Sequence, residues 1–206
     1  MPVEGPQYPV NLILRDRPCL VVGGGRVALG KIEGLLAAGA VVDVVAVQAT
    51  PEVRSLEAIT LKERPYRSGE VAGYRLVVAA TDDRAVNRQV YLDGEAAGVW
   101  VNSADNPENC AFTLPAVVRR GPIMLTVSTG GHSPALSSWL RGRLSDELGP
   151  EYLTLLDLLA ERRAELLAQG LATEGLSWQE ALDSGMLELV RTGRFAEARE
   201  RLQACL

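Results

Sequence analysis

Lysine is almost missing from this chain: of 21 basic side chains only Lys31 and Lys62 are lysines, and His132 is the single histidine. One imidazole with no ligand-spaced partner makes no metal site. The three cysteines, Cys19, Cys110 and Cys205, are odd in number and far apart, which excludes a disulfide framework and a zinc site of CxxC type. No apolar run approaches the ~18 residues of a spanning helix. The amino end, MPVEGPQYPV, lacks the basic and apolar regions of a secretory signal. Excess positive charge is absent too, because 21 basic face 26 acidic side chains for a net charge of −5 and a pI near 5.1. That balance argues against nucleic acid or an anionic membrane as the main partner. A reduced, cytoplasmic protein is the expectation.

What is present is a chain of 206 residues, 47% hydrophobic, long enough for one medium domain with a small appendage and a sizeable core. From Leu12 to about Val101, short β-branched runs alternate with helical stretches, the pattern of a parallel α/β sheet. The runs are Cys19–Val22, Val41–Val47, Ile59–Leu61, Leu76–Ala80 and Val99–Val101. Val27–Ala38 is apolar at helical spacing, Thr50-Pro51 reads as a helix cap, and Asp82 or Asp83 opens another helix. Val10–Leu14 and Pro18–Val22 flank Arg15-Asp16-Arg17, which predicts a hairpin. After Asn102 the rhythm changes. Phe112–Val118 and Ile123–Ser128 read as strands around a Gly121-Pro122 turn, and Ser133-Pro134 opens a helix to about Leu148. Gly149-Pro150 is a break before an amphipathic helix over Glu151–Gln169 and two or three short helices.

The sharpest motif is Val22-Gly23-Gly24-Gly25-Arg26-Val27-Ala28, which has the G-x-G-x-x-A spacing between a strand and a helix. Gly23 permits the tight turn, Gly25 lets backbone N–H groups approach a pyrophosphate, and Ala28 allows close helix–strand packing. An acidic ribose ligand is expected about 20 residues on, but Val47-Gln48 stands there. Gln48 can still bond a ribose hydroxyl, which leaves NAD against NADP open. Ala80-Thr81-Asp82-Asp83 with Asn87, and Asn102 through Asp105, follow later strands at the same edge. Asp82 and Asp83 are most often helix caps, and Asn102–Pro107 serves equally as an Asx-turn. From Ala111 to Ser145 there are four arginines, Arg119, Arg120, Arg141 and Arg143, and no acidic residue. Such an island suits a polyanionic small ligand, and equally an ordinary solvated surface. Ser128-Thr129-Gly130-Gly131-His132-Ser133-Pro134 offers N–H groups to an anion at a helix N-terminus.

In sequence order these blocks resemble the amino-terminal module of siroheme synthase, the precorrin-2 dehydrogenase/sirohydrochlorin ferrochelatase family. The resemblance rests on Cys19–Ala28 with Lys31, Ala79–Asp83 with Asn87, and Asn102 with Asp105. It continues through Phe112 with Leu114-Pro115 and Ser128–Gly131 with Ser133-Pro134, and so covers about residues 8–150. It implies a Rossmann domain over 1–112, a β-hairpin/helix dimerisation segment over 113–149 and a helical domain over 150–206, assembled as a homodimer. It further implies NAD-dependent oxidation of precorrin-2 to sirohydrochlorin and, in some members, insertion of Fe²⁺ to give siroheme. Asp105 falls on the family's essential aspartate. Arg26-Val27 and Val47-Gln48, with Gly23, Gly25, Thr81 and Asp82, fall to the cofactor. Asn102, Arg119, Arg120, Ser128, Thr129, Gly130, His132 and Arg141 fall to the tetrapyrrole, whose eight carboxylates would give the arginines a partner. The larger fused enzymes carry a methyltransferase module for which this length leaves no room. A rival reading is a non-catalytic NAD(H)-sensing dimer, which would keep the glycine turn without needing Asp105 or the arginines. A generic dehydrogenase would show a Tyr-x-x-x-Lys pair, and none occurs.

Overall fold

The computed structural model describes residues 5–206, and through Ser103 it alternates strand with helix. The first four residues, part of the expected 1–112 domain, lie outside the described residues. Five strands, β1 (Pro18–Val22), β2 (Val41–Ala46), β3 (Ile59–Glu63), β4 (Leu76–Ala79) and β5 (Trp100–Ser103), form one parallel sheet in the order β3-β2-β1-β4-β5. Three helices follow strands: α1 (Arg26–Ala37), the short α2 (Pro51–Arg54) and α3 (Arg84–Ala97). Central strands covered on both faces read as unbroken apolar runs. In β1, Cys19 and Val21 pack with Ala28 and Ile32 of α1, while Leu20 and Val22 pack on the opposite face with Val90 of α3. The chain leaves β1 toward β2 on one side and later returns to β4 on the other. That reversal opens a crevice at the carboxyl ends of β1 and β4, where doubly wound sheets hold ligands.

The hairpin expected between Val10–Leu14 and β1 does not form. Both edges of β1 are already bonded, to β2 and to β4, so no third segment can pair with it. The turn itself survives without a ladder: Asp16 adopts φ +58° and Arg17 N–H donates to Leu14 O at 2.9 Å. The next strand starts later than the apolar pattern suggests, at Ala116 rather than Phe112, just past Pro115, which lacks a donor for the ladder.

Two compact units result. The first runs to Leu114 and includes Gly130–His132; the second comprises Pro115–Thr129 and Ser133–Leu206. In the second, β6 (Ala116–Arg120) and β7 (Ile123–Val127) pair antiparallel about Gly121-Pro122, with Gly121 at φ +52°. Helix α4 (Pro134–Glu147), capped by Ser133, packs on this ribbon and has no buried residue. Beyond Gly149-Pro150, α5 (Glu151–Ala168), α6 (Trp178–Ala181), α7 (Leu187–Arg191) and α8 (Phe195–Cys205) enclose a core that includes Leu155, Leu158, Met186 and Leu202. No helix among the described residues is long and apolar enough to cross a membrane.

Candidate functional site

The glycine turn is built by close backbone approach. Gly23 takes φ +127°, its N–H donates to Val45 O at 2.8 Å, and a Cβ there would collide with the carbonyl of Ala80. Gly24 is equally constrained, since a Cβ would sit 2.6 Å from Gln48 O and 2.8 Å from Ala49 Cα. Gly25 differs. A Cβ at Gly25 would meet nothing within 4 Å, so the fold does not require glycine there. Gly25 is also the N-cap of α1, and no side chain caps that helix, whereas Thr50, Asp83 and Ser133 cap α2, α3 and α4. The first N–H groups of α1 therefore face open space at the crevice, with Arg26 exposed beside them and no acidic residue in the first turn. A dinucleotide pyrophosphate fits this arrangement: donors, a positive helix end and room for an anion coincide. Val27 and Val47, 58% and 68% exposed, stay bare at the same sheet edge, where an apolar ring would cover them, and Gln48 is exposed next to Val47.

The turn from β4 into α3 is locked by Asn87, which is fully buried. Its Oδ1 accepts from Thr81 N at 3.1 Å and its Nδ2 donates to Thr81 O at 3.0 Å. Thr81 Oγ1 is spent in the same turn, 2.8 Å from Asn87 Oδ1 and accepting from Asp83 N at 3.2 Å. Asp83 is the cap, accepting from Ala85 N at 2.8 Å, so Asp82 is left exposed toward solvent.

At the end of β5, Asn102 and Ser103 are buried, while Asp105, just past it, is exposed. Asn102 Nδ2 donates to Phe112 O at 2.9 Å, which commits that amide to holding the chain after the loop. Ser103 Oγ donates to Asp105 Oδ1 at 2.5 Å and fixes one carboxylate oxygen. Cys110 braces the loop from beneath: its Sγ accepts from Ser103 N at 3.3 Å and donates to Ser103 O at 3.3 Å. Burial pushes the Cys110 thiol up, and its two hydrogen bonds to Ser103 make it a strut. Lys31, half-buried on α1, is lowered by burial. Sequence reasoning missed Ser103, and it missed Arg84 and Arg88, which α3 brings beside Asp105. A faint signal existed, because a cation at the start of a helix opposes the dipole and invites a reason.

The remaining candidates distribute as follows. Arg119 and Arg141 are exposed, and Arg120 Nε donates to Leu148 O at 2.9 Å within the second unit. Ser128 and His132 are exposed and Gly130 is half-buried. Thr129 Oγ1 accepts from Ser133 N at 3.2 Å and lies 3.0 Å from Ser137 Oγ, closing the turn into α4.

The chain matches, over residues 10–116, the family model described as "Putative NAD(P)-binding". Siroheme synthase of Methylococcus capsulatus is 40% identical over 200 residues, spanning 94% of this chain and 42% of that protein. Siroheme synthase of Nitrosococcus oceani is 37% identical over 206 residues, spanning 97% of this chain and 44% of that protein. The chain thus spans less than half the length of these curated relatives. Among solved structures, "SirC, precorrin-2 dehydrogenase" is similar with a TM-score of 0.77 and 29% identity, over 97% of this chain and 98% of that one.

Proposed function

The chain belongs to the NAD(P)-binding family, and from that premise we propose that it oxidises precorrin-2 to sirohydrochlorin with NAD⁺. The observation that carries this reading is the end-to-end likeness to a precorrin-2 dehydrogenase, 97% of one chain on 98% of the other. A sensor that merely bound the dinucleotide would need no Asp105 held at the same sheet edge by Ser103.

Bound NAD⁺ supplies the hydride acceptor; the protein supplies position and a proton acceptor. The glycine turn and the open end of α1 hold the pyrophosphate, with Arg26 beside it. Oxidation removes a proton with the hydride. Asp105 takes that proton at Oδ2, because Oδ1 is occupied by the Ser103 hydroxyl. In the second unit, exposed Arg119 and Arg141 are the proposed partners of tetrapyrrole carboxylates. We also infer a homodimer through β6, β7 and α4. Its support is that α4, packed on the two-stranded ribbon, has no fully buried residue and leaves Leu136 and Trp139 46% and 56% exposed.

The test uses purified protein, enzymatically prepared precorrin-2 and NAD⁺. NADH and a changed tetrapyrrole spectrum should rise together, and Asp105→Asn should cut that rate by at least about a hundredfold with NAD⁺ affinity kept. Absence of NADH with the wild-type protein would overturn the reading. A second arm, sirohydrochlorin with Fe²⁺, measures whether iron insertion accompanies it.

A further inference from the structure

Beside Asp105 the first unit contains a cavity of about 500 Å³ for which the sequence motifs give no account. Arg84 and Arg88 of α3 line one side, and the loop from Asp105 to Asn109 lines the other. The two arginines are four apart on a helix, so they stand one turn above the other and repel. Arg84 is in addition the first residue of α3, at the positive end of its dipole. Neither guanidinium forms an ion pair among the described residues, although Asp105 and Glu108 line the same cavity. Arg88 is held in place: its Nη1 donates to Oδ1 of buried Asn109 at 2.6 Å, and its guanidinium lies 5.3 Å from the Tyr91 ring centre. Arg84 makes no hydrogen bond among the described residues, so its whole fork is available. Two like charges stacked at a helix start, neither of them ion-paired, repel weakly, and a bound anion relieves that repulsion.

We propose that this cavity is a carboxylate-binding site, in which Arg84 and Arg88 grip an acidic side chain of the tetrapyrrole and set the macrocycle against Asp105. The assignment rests on the dehydrogenase reading above. A planar guanidinium meets a carboxylate with two parallel hydrogen bonds, so the pair fixes orientation as well as position. Asp105 and Glu108 on the facing side restrict the incoming carboxylate to the arginine wall.

The same chemistry could come from a cofactor phosphate, and steady-state kinetics separate the two. Arg84→Gln should raise the precorrin-2 KM about tenfold, the loss of one charge-assisted contact, with the NAD⁺ KM unchanged. Arg84→Lys should fall between, since it keeps the charge and loses the fork. Because the Arg84 side chain makes no hydrogen bond or ion pair among the described residues, the melting temperature of Arg84→Gln should be unchanged or higher. An unchanged precorrin-2 KM would overturn the clamp. So would a raised NAD⁺ KM in place of it, which would give the anion to the cofactor, or a KM rise that comes with a lowered melting temperature, which would make Arg84 structural. A wild-type protein inert toward precorrin-2 defeats the dehydrogenase reading and this site with it. An active wild type with an indifferent Arg84→Gln defeats this site alone.

Discussion

The three glycines of the turn divide by what each must avoid. Gly23 and Gly24 are glycine for the fold, since any side chain meets backbone from the neighbouring strands' ends. Gly25 is under no such constraint, since a Cβ there would meet nothing within 4 Å. Gly24→Ala should therefore lower stability by about 2 kcal/mol or more, the usual cost of overpacking. Gly25→Ala should fold, melt within a few degrees of wild type and bind NAD⁺ at least tenfold more weakly; calorimetry with thermal melting checks both. The spacing rule alone assigns Gly24 no role, because a one-dimensional motif does not show that Gln48 O and Ala49 pass within 3 Å of where its Cβ would stand. Ser103 was hidden for the same reason. Its hydroxyl gains meaning only when β5 ends so that Asp105 Oδ1 lies 2.5 Å away. Ser103→Ala should lower kcat several-fold while leaving the NAD⁺ KM in place, read in the precorrin-2 assay.

At the level of elements, α3 anchors more than its own strand. Asp93, on its outer side, accepts from Tyr66 Oη at 2.6 Å, Gly69 N at 2.8 Å and Ser68 Oγ at 3.0 Å, which tie the β3–β4 connection to the helix. Burial alone would raise the Asp93 carboxyl, but these hydrogen bonds outweigh it and hold it below the usual carboxylate range. Asp43, bonded by Lys62 and Tyr74, is depressed by the same balance. A carboxylate lowered in the folded state adds stability that is complete above its unfolded pKa of about 4 and is lost as pH falls through the folded value. Urea midpoints should thus hold from pH 7 to about 5 and drop below pH 4, and Asp93→Asn should lower the pH 7 midpoint while flattening that drop. Elements were the legible part of this chain. Caps at Thr50 and Ser133, one at Asp82 or Asp83, and strands read from apolar runs could be placed because their causes are local. The false hairpin at Val10–Leu14 had a cause that is not local, namely that β1 is central and its edges are taken. Arg84 and Arg88 were invisible as a site because the loop that faces them comes from another strand.

For the molecule as a whole, the sheet unit is closed on both faces and the ribbon unit is not. With Leu136 and Trp139 half-exposed on a helix that has no fully buried residue, Trp139→Glu should shift the protein toward monomer in sedimentation velocity and leave NAD⁺ binding intact. A wild type that sediments as a monomer would sink the dimer. The bare start of α1 has a consequence of another kind. Its leading amides lack both an intrahelical acceptor and a side-chain cap, so their hydrogens should exchange quickly in the free protein and slowly once NAD⁺ is present. A dinucleotide bound there would in effect finish the helix. At a hundred times its Kd it would add about 2.7 kcal/mol to folding, which makes the thermal midpoint of this protein a running record of how much NAD⁺ surrounds it.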